Sequence, residues 1–460
     1  MNTQTPALLY CAVNGIDNCT NGIGRQTKTL LATLERHYAR LAGDVGPFTP
    51  YLAAPQPGPA TWGHDLEHLV YARSVVERLG GRVIALPYDT TKPFWHPATW
   101  EQLSVRAADA AADLARRHSR VLTIAVDTPF AAVPALSEHE RVGTVLALFS
   151  TAMITERPAP DPDHVAWERA AIAAVNRHPR AHLANIGSFL ADHLTRDYGL
   201  DPGRLTPWPS GLHLTHPDLA PMPAEDALAV AHHYDIPTDR PIVAAIARTD
   251  PTKGLDLLID ALAPLRDEVH LAAIAVRTDD ERAALFDTYE RQCQRAGLRA
   301  TLIGDFDRQL PRALAALPAT RVMACPSRGE TLANVVFETA LWTQHGGAVV
   351  LAPACDGFTE QITDGHNGLL YDAELPDALT NGLRRALALT EQERAAIRCA
   401  AHSRVVAERD AAQHLGALLA RYFTNGQGMT GRLGAHPVTG TRPPRSQATP
   451  SQYDSLEAPR

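Results

Sequence analysis

Cysteine is scarce in this chain of 460 residues. Cys11, Cys19, Cys293, Cys325, Cys355 and Cys399 are scattered and include no Cys-x-x-Cys pair, which argues against a disulfide framework and against a zinc ribbon. Long apolar runs are missing too. No window approaches about 20 consecutive apolar residues, so no integral membrane segment is expected. The first seven residues show no basic stretch leading into an apolar one, so no signal peptide is apparent and a cytoplasmic location is expected. Nor is there an excess of positive charge. Lys and Arg number 43 against 51 Asp and Glu, and the net charge of −8 excludes the basic footprint of a nucleic-acid binder while leaving room for a local basic pocket. Aromatic residues make up only 6%, which makes one cluster of them conspicuous: Tyr88, Phe94, Trp95 and Trp100, together with Lys92 and His96.

What is present is apolar and regularly interrupted. Hydrophobic residues at 45% can fill a large core, and a chain this long exceeds one ordinary core, so two domains are expected. Short apolar runs at 7–13, 48–53, 82–86, 121–126, 144–149 and 181–186 read as strands, with helices at 24–38 and 188–198. After prolines at 217, 221 and 223 the alternation starts again, with strands at 242–247, 269–276, 300–304, 321–325 and 348–352 and a helix at 254–265. Strands separated by helices predict parallel α/β sheets. The expected architecture is α/β, two Rossmann-like domains over 1–216 and 225–408 with a cleft between them. A helix at 409–423 returns toward the first domain, and a Gly-, Pro-, Ser- and Thr-rich tail at 424–460 is expected to be disordered.

Three stretches carry chemistry. In the first, an apolar run to Cys325 feeds Pro326-Ser327-Arg328-Gly329-Glu330-Thr331-Leu332-Ala333-Asn334-Val335-Val336-Phe337-Glu338, a polar turn opening a helix with a glutamate on either side. Eight residues of helix span about 12 Å. Paired carboxylates of a glycoside hydrolase lie about 5–9.5 Å apart, so separate contacts to one hydroxyl-rich ligand suit Glu330 and Glu338 better. In the second, Arg248-Thr249-Asp250-Pro251-Thr252-Lys253-Gly254 places two cations at the carboxyl end of a strand beside a helix N-terminus, where a diphosphate gains charge-assisted bonds. In the third, Asn21-Gly22-Ile23-Gly24-Arg25 is a glycine turn after the first strand, which taken alone is more often a purely structural turn than a ligand loop. His213 with His216, and His232 with His233, lack a third ligand nearby in sequence and read as core or solvated histidines, so no metal site is expected.

These stretches, in this order, resemble the motifs of retaining nucleotide-sugar glycosyltransferases of family 4 (group 1) over residues 7–423. Glu330 and Glu338 resemble that family's Glu-x7-Glu signature, and Arg248 to Gly254 its Gly-Arg-Leu-x-Pro-x-Lys-Gly segment. Asn21 to Gly24 resembles its Gly-Gly-Ile-Gly loop. Asp356-Gly357-Phe358-Thr359-Glu360 with Asp364 to Leu370, and Pro209-Ser210-Gly211-Leu212-His213, resemble two further motifs. The resemblance implies the B-type glycosyltransferase fold and a nucleoside-diphosphate sugar as co-substrate, with no metal or other cofactor. It implies a donor site of Gly22, Gly24, Arg248, Lys253, Glu330, Thr331, Leu332, Ala333 and Glu338. Within it, Arg248, Lys253 and Glu330 carry catalysis, Glu330 meets the sugar hydroxyls and Glu338 the ribose hydroxyls. A small-molecule acceptor is expected in the first domain, near Asn21, Arg25, Tyr88, Trp95, Asp127 and Phe149.

The sequence also departs from the family. Phe149 stands where a histidine is common, so a substrate presenting an apolar or soft atom is expected there; Trp342 to His345 lengthen a helix end; and Asp356 and His213 replace a glycine and an aspartate. These departures suggest a specialised, antibiotic-type pathway. An epimerase or phosphorylase on the same fold, or a binding protein that has lost catalysis, stays open, as do the nucleotide base, the sugar, the acceptor atom and a homodimer.

Overall fold

Seven short apolar segments of the first half become the strands of one parallel sheet, and six of the second half form another. The computed structural model describes residues 4–17, 22–56, 65–277, 279–305 and 307–424, so the expectations for Asn21 and for the tail beyond 424 lie outside the described residues. The first sheet contains β1 (Ala7–Cys11), β2 (Thr49–Pro55), β3 (Val83–Leu86), β4 (Val121–Val126), β5 (Val142–Ala147), β6 (Ala181–Asn185) and β7 (Leu205–Pro207), in the order β3-β2-β1-β4-β5-β6-β7. The second contains β8 (Ile242–Arg248), β9 (His270–Val276), β10 (Ala300–Ile303), β11 (Thr320–Ala324), β12 (Val349–Pro353) and β13 (Leu369–Tyr371), in the order β10-β9-β8-β11-β12-β13. Helices cover both faces, which is why the strands are apolar without alternation: β1, β4 and β5 are buried at every position.

Both sheets reverse direction at their first strand. In each, the chain winds outward on one side and then returns to wind outward on the other, leaving a crevice at the carboxyl ends of β1 and β4, and of β8 and β11. The expected strands are all there, with shifted ends. β5 stops at Ala147, so Phe149 lies in the loop beyond it. The helix after β1 runs from Gly22 to Val45, longer at both ends than its sequence pattern suggests, and buries Leu41 in its extra turns. Residues Pro251–Lys253 form a 3-10 turn, and the helix Leu255–Leu262 begins only after Gly254, which has φ 68°. A Cβ at Gly254 would lie 2.1 Å from the Pro326 carbonyl oxygen, so the backbone needs glycine there. β7 and β13 were not expected. Each is a three-residue edge strand, too short to show a period.

The chain crosses between domains twice, and the crossings lie side by side. Leu212 N–H donates to Arg409 O (2.8 Å) and Ala411 N–H to Leu212 O (3.1 Å). The returning helix Ala411–Leu419 then inserts Leu415, Leu418 and Leu419, followed by Tyr422 and Phe423, into the first domain's core. Arg120 donates to the carbonyls of Tyr422 (3.0 Å) and Phe423 (3.3 Å), and Tyr422 Oη lies 2.8 Å from His182 Nδ1. The last described segment is therefore a core element of the first domain. Leu419 is fully buried, and Leu419→Ala should destabilise the first domain by about 2–5 kcal/mol in urea unfolding followed by a first-domain probe such as Trp208 fluorescence.

Candidate active site

The two crevices face one another across a cleft of about 490 Å³. From the second domain it is lined by Arg248, Lys253, Glu330, Thr331, Leu332, Ala333 and Glu338, and from the first by Gly22, Arg25 and Phe149. Most of the expected site residues thus meet in one place. Lys253 Nζ lies 2.6 Å from Glu330 Oε2, joining the loop after β8 to the loop after β11. Arg248 Nη2 is 3.6 Å from Asp250 Oδ2 and stays about half exposed toward the cleft. Asp250 organises the turn by accepting from Thr252 N–H (2.9 Å) and Thr252 Oγ1 (2.7 Å). Burial alone would raise its pKa, but the Thr252 hydrogen bonds and the Arg248 charge hold it below the ordinary carboxylate value. Arg328 ties the same loops from behind, gripping Asp256 with both guanidinium nitrogens at 2.9 and 2.5 Å. Cys325 also lines the cleft, but burial pushes its thiol up to about 12, so it stays protonated and is not a nucleophile.

The domains touch around the rim of this cleft. Arg25 Nε is 2.7 Å from Glu338 Oε1, Asn334 Nδ2 donates to Gly22 O at 3.3 Å, and Thr331 Oγ1 donates to Phe149 O at 2.5 Å. Glu330 and Glu338 therefore hold cations from different domains, as suits two separate contacts rather than a hydrolytic pair. Asp356 adopts φ 48°, which aspartate tolerates better than most residues, and pairs with Arg157 of the first domain at 3.0 Å. The aspartate in place of glycine thus has an interdomain role. Trp342 donates its indole N–H to Asp218 O (2.8 Å) and pins the linker to the lengthened helix end.

Four expected residues fall elsewhere, and Asn21 lies outside the described residues. Gly24 is buried, and its carbonyl packs on Gly15, where a Cβ would lie 2.4 Å away; it is a packing residue and does not line the cleft. Tyr88 and Trp95 do not line the cleft either. They join an aromatic ladder in which Tyr88 meets Phe94 at 5.6 Å, Phe94 meets Trp95 at 5.4 Å and Trp95 meets Trp100 at 6.5 Å. Asp127 follows β4 outside the cleft lining, and burial pushes its carboxyl up to about 6. His213 packs between the tilted ring of His37 (5.3 Å) and the edge-on ring of His216 (6.1 Å), and no group of three or more His, Cys, Asp or Glu suited to a metal occurs among the described residues.

Residues 231–403 match the family model of glycosyl transferases group 1. The second domain belongs to that family. Among curated relatives, a D-inositol 3-phosphate glycosyltransferase of Xylanimonas cellulosilytica is 29% identical over 199 residues, covering 43% of this chain and 46% of that protein. A GDP-mannose-dependent alpha-(1-6)-phosphatidylinositol monomannoside mannosyltransferase of Mycolicibacterium smegmatis is 31% identical over 161 residues, covering 33% and 39%. The chain thus spans less than half the length of either. Over the whole fold it is similar to sucrose-phosphate synthase of Thermosynechococcus elongatus, with TM-score 0.69 and 19% identity over 92% of this chain and 100% of that one. It is also similar to HepE of Anabaena in complex with UDP and glucose, with TM-score 0.67 and 16% identity over 91% and 99%. The architecture is the B-type glycosyltransferase fold.

Around the group 1 domain the structure adds residues that no motif marked. Ser150 lines the cleft beside Phe149, and its buried hydroxyl has no partner among the described residues. A polar group therefore lies next to Phe149, which itself lines the cleft. Glu360 caps the first domain's helix Ser188–Tyr198, accepting from Ser188 Oγ (2.6 Å) and Phe189 N–H (2.8 Å). Behind the loop 149–157 lies an ion network: His164 Nδ1 is 2.7 Å from Glu156, and its Nε2 is 3.3 Å from the fully buried Glu168. Burial alone would lower the His164 pKa, but the two glutamates outweigh it and raise it to about 9. A raised histidine pKa stabilises the fold below its unfolded value of about 6.5 and loses that contribution as pH climbs to about 9. The stability advantage of wild type over His164→Asn should therefore shrink across that interval in thermal melts.

Proposed function

We propose that this chain is a retaining glycosyltransferase that moves a sugar from a nucleoside-diphosphate sugar to a small polar acceptor. The observation that carries the reading is the convergence of Arg248, Lys253, Glu330 and Glu338 on one cleft between two facing crevices. HepE, a structural neighbour, was solved with UDP, and a curated relative is named as GDP-mannose-dependent. In this reading the diphosphate lies between Arg248 and Lys253, beside the N-terminus of the helix Asn334–Trp342. Glu338 takes the ribose hydroxyls, exchanging its contact with Arg25 for them. Glu330 takes the sugar hydroxyls while keeping Lys253 in place.

The acceptor oxygen attacks the anomeric carbon from the face that the leaving diphosphate vacates. The bond from that carbon to the phosphate oxygen breaks, the acceptor's proton passes to a diphosphate oxygen, and the nucleoside diphosphate leaves. Arg248 and Lys253 stabilise the negative charge that builds on the leaving group, which is electrostatic catalysis without a protein nucleophile. The acceptor enters from the first domain, where Arg25, Lys28, Ser150 and Thr155 line the cleft. Relatives named as D-inositol 3-phosphate glycosyltransferases favour a polyol-like acceptor over an antibiotic-type one.

Incubation with UDP-, GDP- and dTDP-sugars and candidate polyols, with the product's anomeric configuration read by NMR, tests the reading. Inversion, or donor turnover without a glycoside product, would refute it. Arg248→Ala and Lys253→Ala should each lower kcat/KM at least about tenfold, with the double variant losing less than the sum because both serve one diphosphate. Near-normal kinetics in either single variant would remove the clamp. Since these cations supply the countercharge, turnover should persist in EDTA, and loss of activity restored by Mg²⁺ or Mn²⁺ would overturn that.

A further inference from the structure

The loop that carries Glu330 to Ala333 reaches the cleft only because something holds it from behind. Two residues of one short segment do so. Gly357 N–H donates to Glu330 O at 2.9 Å, and a Cβ at Gly357 would lie 1.8 Å from Thr331 O, so the segment presses directly against the loop. Four residues further along, Gln361 points its amide the same way. Its Oε1 accepts from Ala333 N–H at 2.9 Å and its Nε2 donates to Ala333 O at 2.9 Å. The pair fixes the amide's orientation, since the flipped group would set donor against donor and acceptor against acceptor. Gln361 is 2% exposed and is itself anchored, for its carbonyl accepts from Asn367 Nδ2 (2.9 Å) and Arg404 Nη1 (3.1 Å).

Resting on the donor-site reading above, we propose that Gln361 is a positioning residue for the nucleotide sugar, gripping the peptide of Ala333 so that Thr331, Leu332 and the first turn of the helix Asn334–Trp342 present their N–H groups to the diphosphate. Gln361 does not line the cleft and touches no substrate. Thr331, Leu332 and Ala333 all border the cleft, but the grip occupies the Ala333 N–H, which therefore does not serve the ligand. An apolar side chain of the same size would leave the buried Ala333 N–H unmet, while the Ala333 carbonyl would keep only its second donor, Val336 N–H at 3.1 Å, and the loop would shift to find a partner.

The test uses the full chain with Gln361→Leu and Gln361→Glu. Without ligand, Gln361→Leu should speed hydrogen exchange at Ala333 by at least about tenfold while amides of β8 and β11 keep their rates, because only the clamped peptide loses an acceptor. Titration with UDP, GDP and dTDP should show the preferred nucleotide bound about tenfold more weakly, and turnover should show a raised donor KM with the acceptor KM unchanged. Gln361→Glu is the conservative control. Its protonated carboxyl can donate to Ala333 O and accept from Ala333 N–H, while its carboxylate can only accept. Burial raises a carboxyl's pKa, so this variant should bind weakly near pH 8 and recover toward wild type near about pH 5. Unchanged exchange at Ala333 in Gln361→Leu, nucleotide affinity within twofold of wild type, or no recovery of Gln361→Glu at low pH would each overturn the proposal while leaving the donor site standing. Failure of the wild type to bind any of the three nucleotides would instead remove the donor-site reading, and the role of Gln361 with it.

Discussion

The contact between Lys253 and Glu330, at 2.6 Å, is the constraint around which the second domain's site is arranged. A lysine and a glutamate 77 residues apart in sequence can meet only if their loops leave neighbouring strands at the same end of the sheet. β8 and β11 pair in parallel at the point where the strand order reverses, so both loops open into one crevice. The rest of the local structure serves that meeting. Asp250 caps its turn, Gly254 lets the chain pass under Pro326, and the Arg328–Asp256 pair bolts one loop to the other on the outer side. With one ammonium neutralised by one carboxylate, the half-exposed Arg248 is the cation best placed to meet an incoming anion, which is what a diphosphate site requires.

Much of this was legible in the sequence, and the reason is physical. Parallel strands buried on both faces must be short continuous apolar runs, so the strands announce themselves, and the residues just beyond them are where ligands bind. Arg248, Lys253, Glu330 and Glu338 were readable because each lies within a few residues of such a run or in the helix that follows it. Edge strands β7 and β13 were not, since three residues carry no pattern. Gly24 was misread because successive residues of a helix point in different directions: Gly22 and Arg25 face the cleft while Gly24 turns inward onto Gly15. Tyr88 and Trp95 drew attention as a sequence cluster, but their rings pack on one another toward Trp100 rather than on the cleft. Gln361 and Ser150 carry no charge and sit in no recognisable spacing. Only the folded backbone shows that one grips Ala333 and the other leaves a buried hydroxyl without a partner among the described residues.

The segment 356–361 also bears on how the two domains come together. Asp356 and Glu360 reach outward to the first domain, at Arg157 and at the helix Ser188–Tyr198, while Gly357 and Gln361 reach inward to the loop 330–333. Residues alternating in this way along one short turn cannot move independently. A rotation that separated Glu360 from the Ser188 helix would pull on the same backbone that supports Ala333. In the proposed reading, domain closure and the shape of the loop 330–333 are thereby mechanically one variable: a cleft that opened to admit a nucleotide sugar would also loosen the loop proposed to hold it, and re-forming the Glu360 cap would restore both at once.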